Sequence, residues 1–93
     1  VEYDAEFEKI TPSYSSSWMQ MNDETARSKG FITAYAFSSA DEDFAEMVSI
    51  MLTNSPEDWD NMIENAGNAA AVEALRKKEA IVVAYIKITG VSI

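Results

Sequence analysis

The sequence contains neither histidine nor cysteine. A Ser-His-Asp or Cys-His catalytic arrangement therefore cannot be built from these residues alone, and neither can a His-ligated zinc site. The absence of cysteine also excludes a disulfide scaffold and a thiolate metal site, and leaves the compartment open. No apolar run approaches about 18 residues, so no segment reads as a membrane-spanning helix, and no signal peptide is recognisable. Basic residues are scarce, with 7 Lys and Arg against 16 Asp and Glu for a net charge of −9. That balance excludes nucleic acid as a partner, because phosphate neutralisation needs clustered cations, and it disfavours an anionic membrane surface. Internal repeats, low-complexity tracts and an interdomain linker are all lacking.

What is present reads as one mainly α-helical unit over residues 1–93, of about four helices with a short extended segment. A chain of this size buries roughly 60–70% of its unfolded surface, enough for a small core. Its opening, Val1 to Ile10, reads as the continuation of something upstream, so the unit is expected to be a fragment of a longer protein.

Tyr3, Phe7 and Ile10 recur at helical spacing and stop before Thr11-Pro12, where the proline disfavours further helix. Ser13 to Met21 is a polar loop whose Tyr14, Trp18, Met19 and Met21 are expected to pin it to the core, with a sugar-stacking platform as the alternative. Asn22 or Asp23 starts a short helix through Lys29, and Gly30 takes the left-handed position after it. Phe31 to Phe37 is a short extended segment or a buried loop; if extended, Phe31, Thr33, Tyr35 and Phe37 share one side. Ser55-Pro56 opens a helix that carries Trp59, Met62 and Ile63 and ends at Gly67. Asn68 caps the last helix, with Val72, Leu75, Val82, Val83 and Ile86 on its buried side and Arg76-Lys77-Lys78 as a solvated basic turn. The β-branched run Ile81 to Ile88 allows that end to fray or pass into a strand.

The centre of the chain is the helix predicted over Ser38 to Thr53. Ser38 or Ser39 caps it, and Asp41, Glu42 and Asp43 sit where the helix dipole favours negative charge. Phe44, Met47, Val48, Met51 and Leu52 form its core face. Glu42, Ala45, Glu46 and Ser49 share a second narrow stripe, and two like charges one turn apart call for compensation. A calcium loop fails on spacing, since the position that demands glycine is Glu46. A glycosidase carboxylate pair is unspecific, because any two acids on one face qualify.

The stretch Gly30-Phe-Ile-Thr-Ala-Tyr-Ala-Phe-Ser-Ser-Ala-Asp-Glu-Asp-Phe-Ala-Glu-Met-Val-Ser49, followed by Ser55-Pro-Glu-Asp-Trp59, resembles the C-terminal half of zinc-binding metallopeptidases found as lipoproteins in gut-dwelling bacteria. The resemblance runs from the Phe7–Ile10 segment through the last helix and is most specific at Glu42-Asp-Phe-Ala-Glu46. It implies a zincin-like domain in which an upstream His-Glu-x-x-His helix supplies two zinc ligands and a general base. Glu42 then looks like the third ligand, and Glu46 like the acid that accepts a hydrogen bond from a ligating imidazole. Tyr35, seven residues before Glu42, is similar in spacing to the active-site tyrosine of the anthrax lethal factor catalytic domain, which implies a hydrogen bond to the developing oxyanion; a core tyrosine is the plainer reading.

This chain departs from the pattern in having no His-Glu-x-x-His. The resemblance therefore implies zinc in the full-length protein and none held by this segment alone, which is then inactive by itself. Its implied partners are the missing N-terminal half of the same domain and a peptide or protein substrate, with self-association of the exposed face. The implied location is the bacterial cell envelope, as a surface lipoprotein. The alternative is a non-catalytic helical module binding a partner or glycan through Tyr14, Trp18 and Trp59.

Overall fold

A computed structural model describes residues 3–89. The expected unit of 1–93 includes residues 1, 2 and 90–93, which lie outside the described residues. Five α-helices follow in order: α1 (Tyr3–Ile10), α2 (Asp23–Ser28), α3 (Ala40–Thr53), α4 (Pro56–Glu64) and α5 (Ala69–Thr89). Two short 3-10 turns, Ser16–Gln20 and Tyr35–Ser38, lie between them. Helix α3 is the hub and packs against α1, α4, α5 and the second 3-10 turn. No described helix is long and apolar enough to cross a membrane.

The helix boundaries follow from capping chemistry. Asn22, Ser39, Ser55 and Asn68 each accept a backbone N–H three residues on, from Thr25, Glu42, Asp58 and Ala71, satisfying donors that a helix start leaves unpaired. Gly30 and Gly67 follow α2 and α4 with φ of +92° and +107°, the conformation that ends helices at low cost only for glycine. At Gly30 space is also restrictive, since a Cβ would lie 3.0 Å from the Cβ of Ala74 and 3.2 Å from Cγ2 of Thr11. That close approach is what brings the carbonyl of Gly30 up to α5.

The core is an aromatic and aliphatic stack along the inner face of α3. Phe44 lies between Tyr3, whose ring stacks on it at 3.8 Å, and Tyr85 at 5.0 Å, with Phe7 at 5.7 Å. Met47, Met51, Trp59, Ile63, Leu75, Val82 and Ile86 complete it. Leu52, expected on this face, is 45% exposed near the end of α3. The β-branched run of α5 stays helical to Thr89: Leu75, Lys78, Val82 and Ile86 are buried at helical spacing, while Ala84, which would share a strand face with Val82 and Ile86, is exposed.

Of the two readings of residues 31–37, the buried loop holds and the short extended segment does not: the described residues contain no strand, and the segment is a buried coil that tightens into the 3-10 turn. Side chains take its backbone groups in place of a neighbouring strand. Asp23 accepts the N–H of Ala34 at 2.8 Å, Thr33 that of Ala36 at 3.1 Å, and Arg27 donates to the carbonyl of Ile32 at 2.9 Å. As a result Phe31 and Thr33 are buried while Tyr35 is exposed. The Ser13–Met21 loop holds its own 3-10 turn; Tyr14 and Met21 pack against the core as expected, whereas Trp18 is half-buried against Tyr35 and Met19 is 73% exposed.

An expectation about charge is overturned. Of Arg76-Lys77-Lys78, expected as a solvated turn, only Lys77 is exposed, and Asp43 of the first turn of α3 is buried. Lys78 and Asp43 are both 0% exposed and paired, Nζ to Oδ2, at 2.6 Å. Lys78 also donates to the carbonyl of Gly30 at 2.7 Å and lies over the ring of Phe31, 4.2 Å from its centroid. The hydroxyl of Tyr14 donates to Asp43 Oδ2 at 2.7 Å, which leaves Thr11 to donate to Tyr14 at 3.2 Å. Asp43 Oδ1 is buried with no hydrogen-bond partner among the described residues. Arg76 is the exposed counterpart, bridging Asp60 and Glu64 of α4 to Glu79 of α5 at 2.9–3.1 Å.

Burial pushes the Asp43 carboxyl up and the Lys78 ammonium down, and the charge of each draws the other back. Neither charge is tolerable there without the other. Lys78→Met is therefore expected to cost about 3–5 kcal/mol by leaving Asp43 unpaired, whereas the double variant Lys78→Met, Asp43→Leu should recover most of that loss. Urea unfolding of the two variants measures this, and an unchanged midpoint for Lys78→Met would contradict it. A second expectation concerns alkali. Burial first, and the charge of Asp43 second, raise the Tyr14 phenol far above its ordinary 10. A raised folded pKa contributes stability that is complete below pH 10, where the unfolded phenol titrates, and is lost as pH rises above it. The alkaline fall in stability should be shallower in Tyr14→Phe, as read by thermal unfolding from pH 8 to 11.

Candidate functional site

Rolling α3 so that Asp43, Phe44 and Met47 face inward turns Glu42 and Glu46 about 100° away, onto a neighbouring half-exposed stripe with Ala45 and Ser49. The stripe predicted from spacing is thus present: Glu42 and Glu46 are half-exposed, Ala45 and Ser49 exposed. The 3-10 turn Tyr35–Ser38 packs against this side of α3. It projects Tyr35, 41% exposed, toward the glutamates. Proximity to Glu42, first as a potential hydrogen-bond acceptor and then as a charge, with a smaller contribution from Glu46, pushes the phenol pKa above its ordinary 10. The hydroxyl accordingly keeps its proton at neutral pH and is a donor.

Glu46 is held differently. Its Oε1 accepts from the hydroxyl of Thr33 at 2.9 Å. The ring of Tyr35 meets Trp18 edge to face, with centroids 4.9 Å apart, and the first 3-10 turn is tied in by Ser15 N–H donating to the carbonyl of Phe37 at 3.0 Å. Tyr35, Glu42 and Glu46, proposed separately from sequence, are therefore brought together on one face. Thr33, Trp18 and Asp23, which build the frame around them, were not singled out for this. The one available sign was a lone hydroxyl residue inside the apolar run 31–37.

No described ion pair involves Glu42 or Glu46; the pairs formed are those of Lys9, Arg76, Lys77 and Lys78 with other acids. The repulsion between the two glutamates is thus met at Glu46 by the Thr33 hydroxyl and by no cation among the described residues. Among the described residues no group of three His, Cys, Asp or Glu gathers as a metal site would require. The aromatic residues of the alternative reading are placed apart in role: Trp59 is buried and hydrogen-bonded to Glu79, Tyr14 is committed to Asp43, and Trp18 is half-buried on Tyr35. A groove of about 380 Å³ lined by Met51, Leu52, Trp59, Glu79 and Val83 includes none of the three site residues.

A family model described as "Putative zinc-binding metallo-peptidase" matches residues 1–89. Among solved structures, the chain is similar to a crystal structure described in the same words, from Bacteroides caccae ATCC 43185, with 30% sequence identity and a TM-score of 0.80. The match covers 92% of this chain and 33% of that one, so the chain spans about a third of that relative's length. A search of curated proteins returned no match.

If Tyr35 and Glu42 meet in solution as described, neutralising the glutamate should release the phenol. Glu42→Gln is expected to lower the Tyr35 pKa toward 10, because the neutral amide no longer disfavours a neighbouring phenolate. Titration of the Tyr35 ring by NMR measures it, and a pKa unmoved or raised in the variant would show that the two side chains do not interact.

Proposed function

The chain belongs to this zinc-binding metallo-peptidase family, and on that premise we propose that it supplies one side of a zinc-dependent peptide hydrolase site, with Glu42 as the carboxylate ligand. The observation that carries the reading is the convergence of Glu42, Glu46 and Tyr35 on one half-exposed face, with no Lys or Arg among the described residues paired to either glutamate. The donor set supports a shared site. Glu42 offers the oxygen donor that zinc accepts, at a position open to an incoming partner. Catalytic zinc takes three protein ligands, and the chain has no histidine to add. Its residues fit one ligand position, and the other ligands then come from residues outside this segment.

Zinc, when bound, supplies Lewis acidity toward water and a peptide carbonyl. The residues of this chain hold and orient. Glu42 provides charge as well as a donor atom, and the cation in turn relieves its repulsion with Glu46. Glu46, with Oε1 taken by Thr33, offers Oε2 to a ring N–H of a metal-ligating imidazole, fixing its tautomer. Tyr35 keeps its proton and can donate it as a hydrogen bond to the oxygen on which charge develops during attack at the carbonyl, a role in which a fixed donor counts more in the transition state than in the ground state. The segment alone is inactive in this reading, its substrate is a peptide or protein, and its location at the bacterial envelope rests on the family resemblance.

The test is metal content. In the full-length natural protein, Glu42→Ala should lose stoichiometric zinc, measured by plasma mass spectrometry on dialysed protein. Unchanged zinc in that variant removes Glu42 from the ligand set.

A further inference from the structure

Thr33 is buried, 7% exposed, between Ile32 and Ala34. Its hydroxyl accepts the N–H of Ala36 at 3.1 Å and donates to Glu46 Oε1 at 2.9 Å. The first bond is local and closes the turn in which Tyr35 sits. The second reaches 13 residues along the chain to a different element. One hydroxyl has a single proton and two lone pairs, so a donation and an acceptance together commit its proton and fix its rotor. The side chain itself is stiff, because β-branching restricts χ1.

We propose that Thr33 is the positioning residue of this site, its hydroxyl clamping the turn that carries Tyr35 to the helix that carries Glu42 and Glu46. Two consequences follow from the geometry. The Tyr35 ring is steered from the backbone side by the Ala36 bond and from the ring side by Trp18. Glu46, a side chain with three rotatable bonds, is held by Oε1, so that Oε2 is the oxygen presented outward. A valine of the same shape would fill the same space and do neither. The catalytic meaning of the clamp rests on the metallo-peptidase reading above; the clamp itself does not.

The test uses four variants and two readouts. By NMR on this chain, Thr33→Val should lose the cross-peaks between the Trp18 and Tyr35 rings and the single Glu46 rotamer. The core contacts of Tyr3, Phe44 and Tyr85 should persist, and Thr33→Ser, which keeps the hydroxyl, should restore the wild-type pattern. Retained Trp18–Tyr35 cross-peaks in Thr33→Val, or a Thr33→Ser spectrum like that of valine, overturns the proposal. Should Thr33→Val fail to fold, Glu46→Ala decides: it removes only the long-range arm, so loosened Tyr35 contacts support the clamp and unchanged ones overturn it. In the full-length natural protein, Thr33→Val should weaken zinc binding by about 10–100-fold, as loss of a hydrogen bond behind a metal-supporting residue does, with Thr33→Ser near wild type. If Glu42→Ala leaves zinc unchanged while Thr33→Val still frees the Tyr35 ring, the metal reading falls and the clamp stands.

Discussion

The rest of the structure depends on the buried contact between Asp43 and Lys78. A carboxylate and an ammonium taken out of water are each costly, and their attraction offsets that cost only in good geometry with further hydrogen bonds. Here Gly30, Tyr14 and Phe31 support the pair, while Asp43 Oδ1 is without a hydrogen-bond partner among the described residues. Such a pair adds little net stability compared with a well-packed apolar one, but it admits one alignment. Lys78 reaches Asp43 only if α3 and α5 are in one register and α3 is rolled to one angle. Glu42, the next residue back, is thereby turned outward, and Glu46 with it. Orientation of the proposed ligand is thus a by-product of an electrostatic constraint in the core.

Much of the fold was legible because it is written in local chemistry. Ser39, Ser55 and Asn68 cap helices, and Gly30 stops α2 at positive φ, whereas α4 ends at Glu64, three residues before the positive-φ Gly67 where its end was expected. The stripe of Glu42, Ala45, Glu46 and Ser49 was readable because 3.6-residue periodicity alone determines it. What was not legible is what depends on contacts between distant residues. Asp43 looks like any acid in a first helical turn, and Lys78 like any base in a run of three. Only their separation of 35 positions, closed in three dimensions, makes them partners. The 31–37 segment stayed open between a strand and a buried loop for a related reason: its β-branched and aromatic residues suit a strand, but strand formation needs a neighbour to take its backbone bonds, and Asp23, Arg27 and Thr33 take them first.

The candidate site was legible in composition and opaque in construction. Tyr35, Glu42 and Glu46 could be named from spacing and resemblance, and they lie together. Their supports could not, because a threonine or a tryptophan that orients another side chain carries no signature in sequence. The division of labour is physical. Charged residues that address a ligand must be half-exposed to meet it, whereas the neutral groups that aim them are buried, where a hydrogen bond holds its direction.

The side-chain scaffolding of residues 31–37 bears on how such a site can be moved. Because that segment borrows its backbone partners from α2, the face bearing Tyr35 and the glutamates cannot be transplanted as the motif from Gly30 to Ser49. The portable unit begins at Asn22, with Asp23 and Arg27 included, and runs to the end of α3. It also needs a lysine delivered from a separate helix to neutralise Asp43. A recipient scaffold lacking that lysine would receive the acidic helix with a buried charge and no counterion, and the helix would roll until the aspartate found water, carrying Glu42 and Glu46 off the shared face.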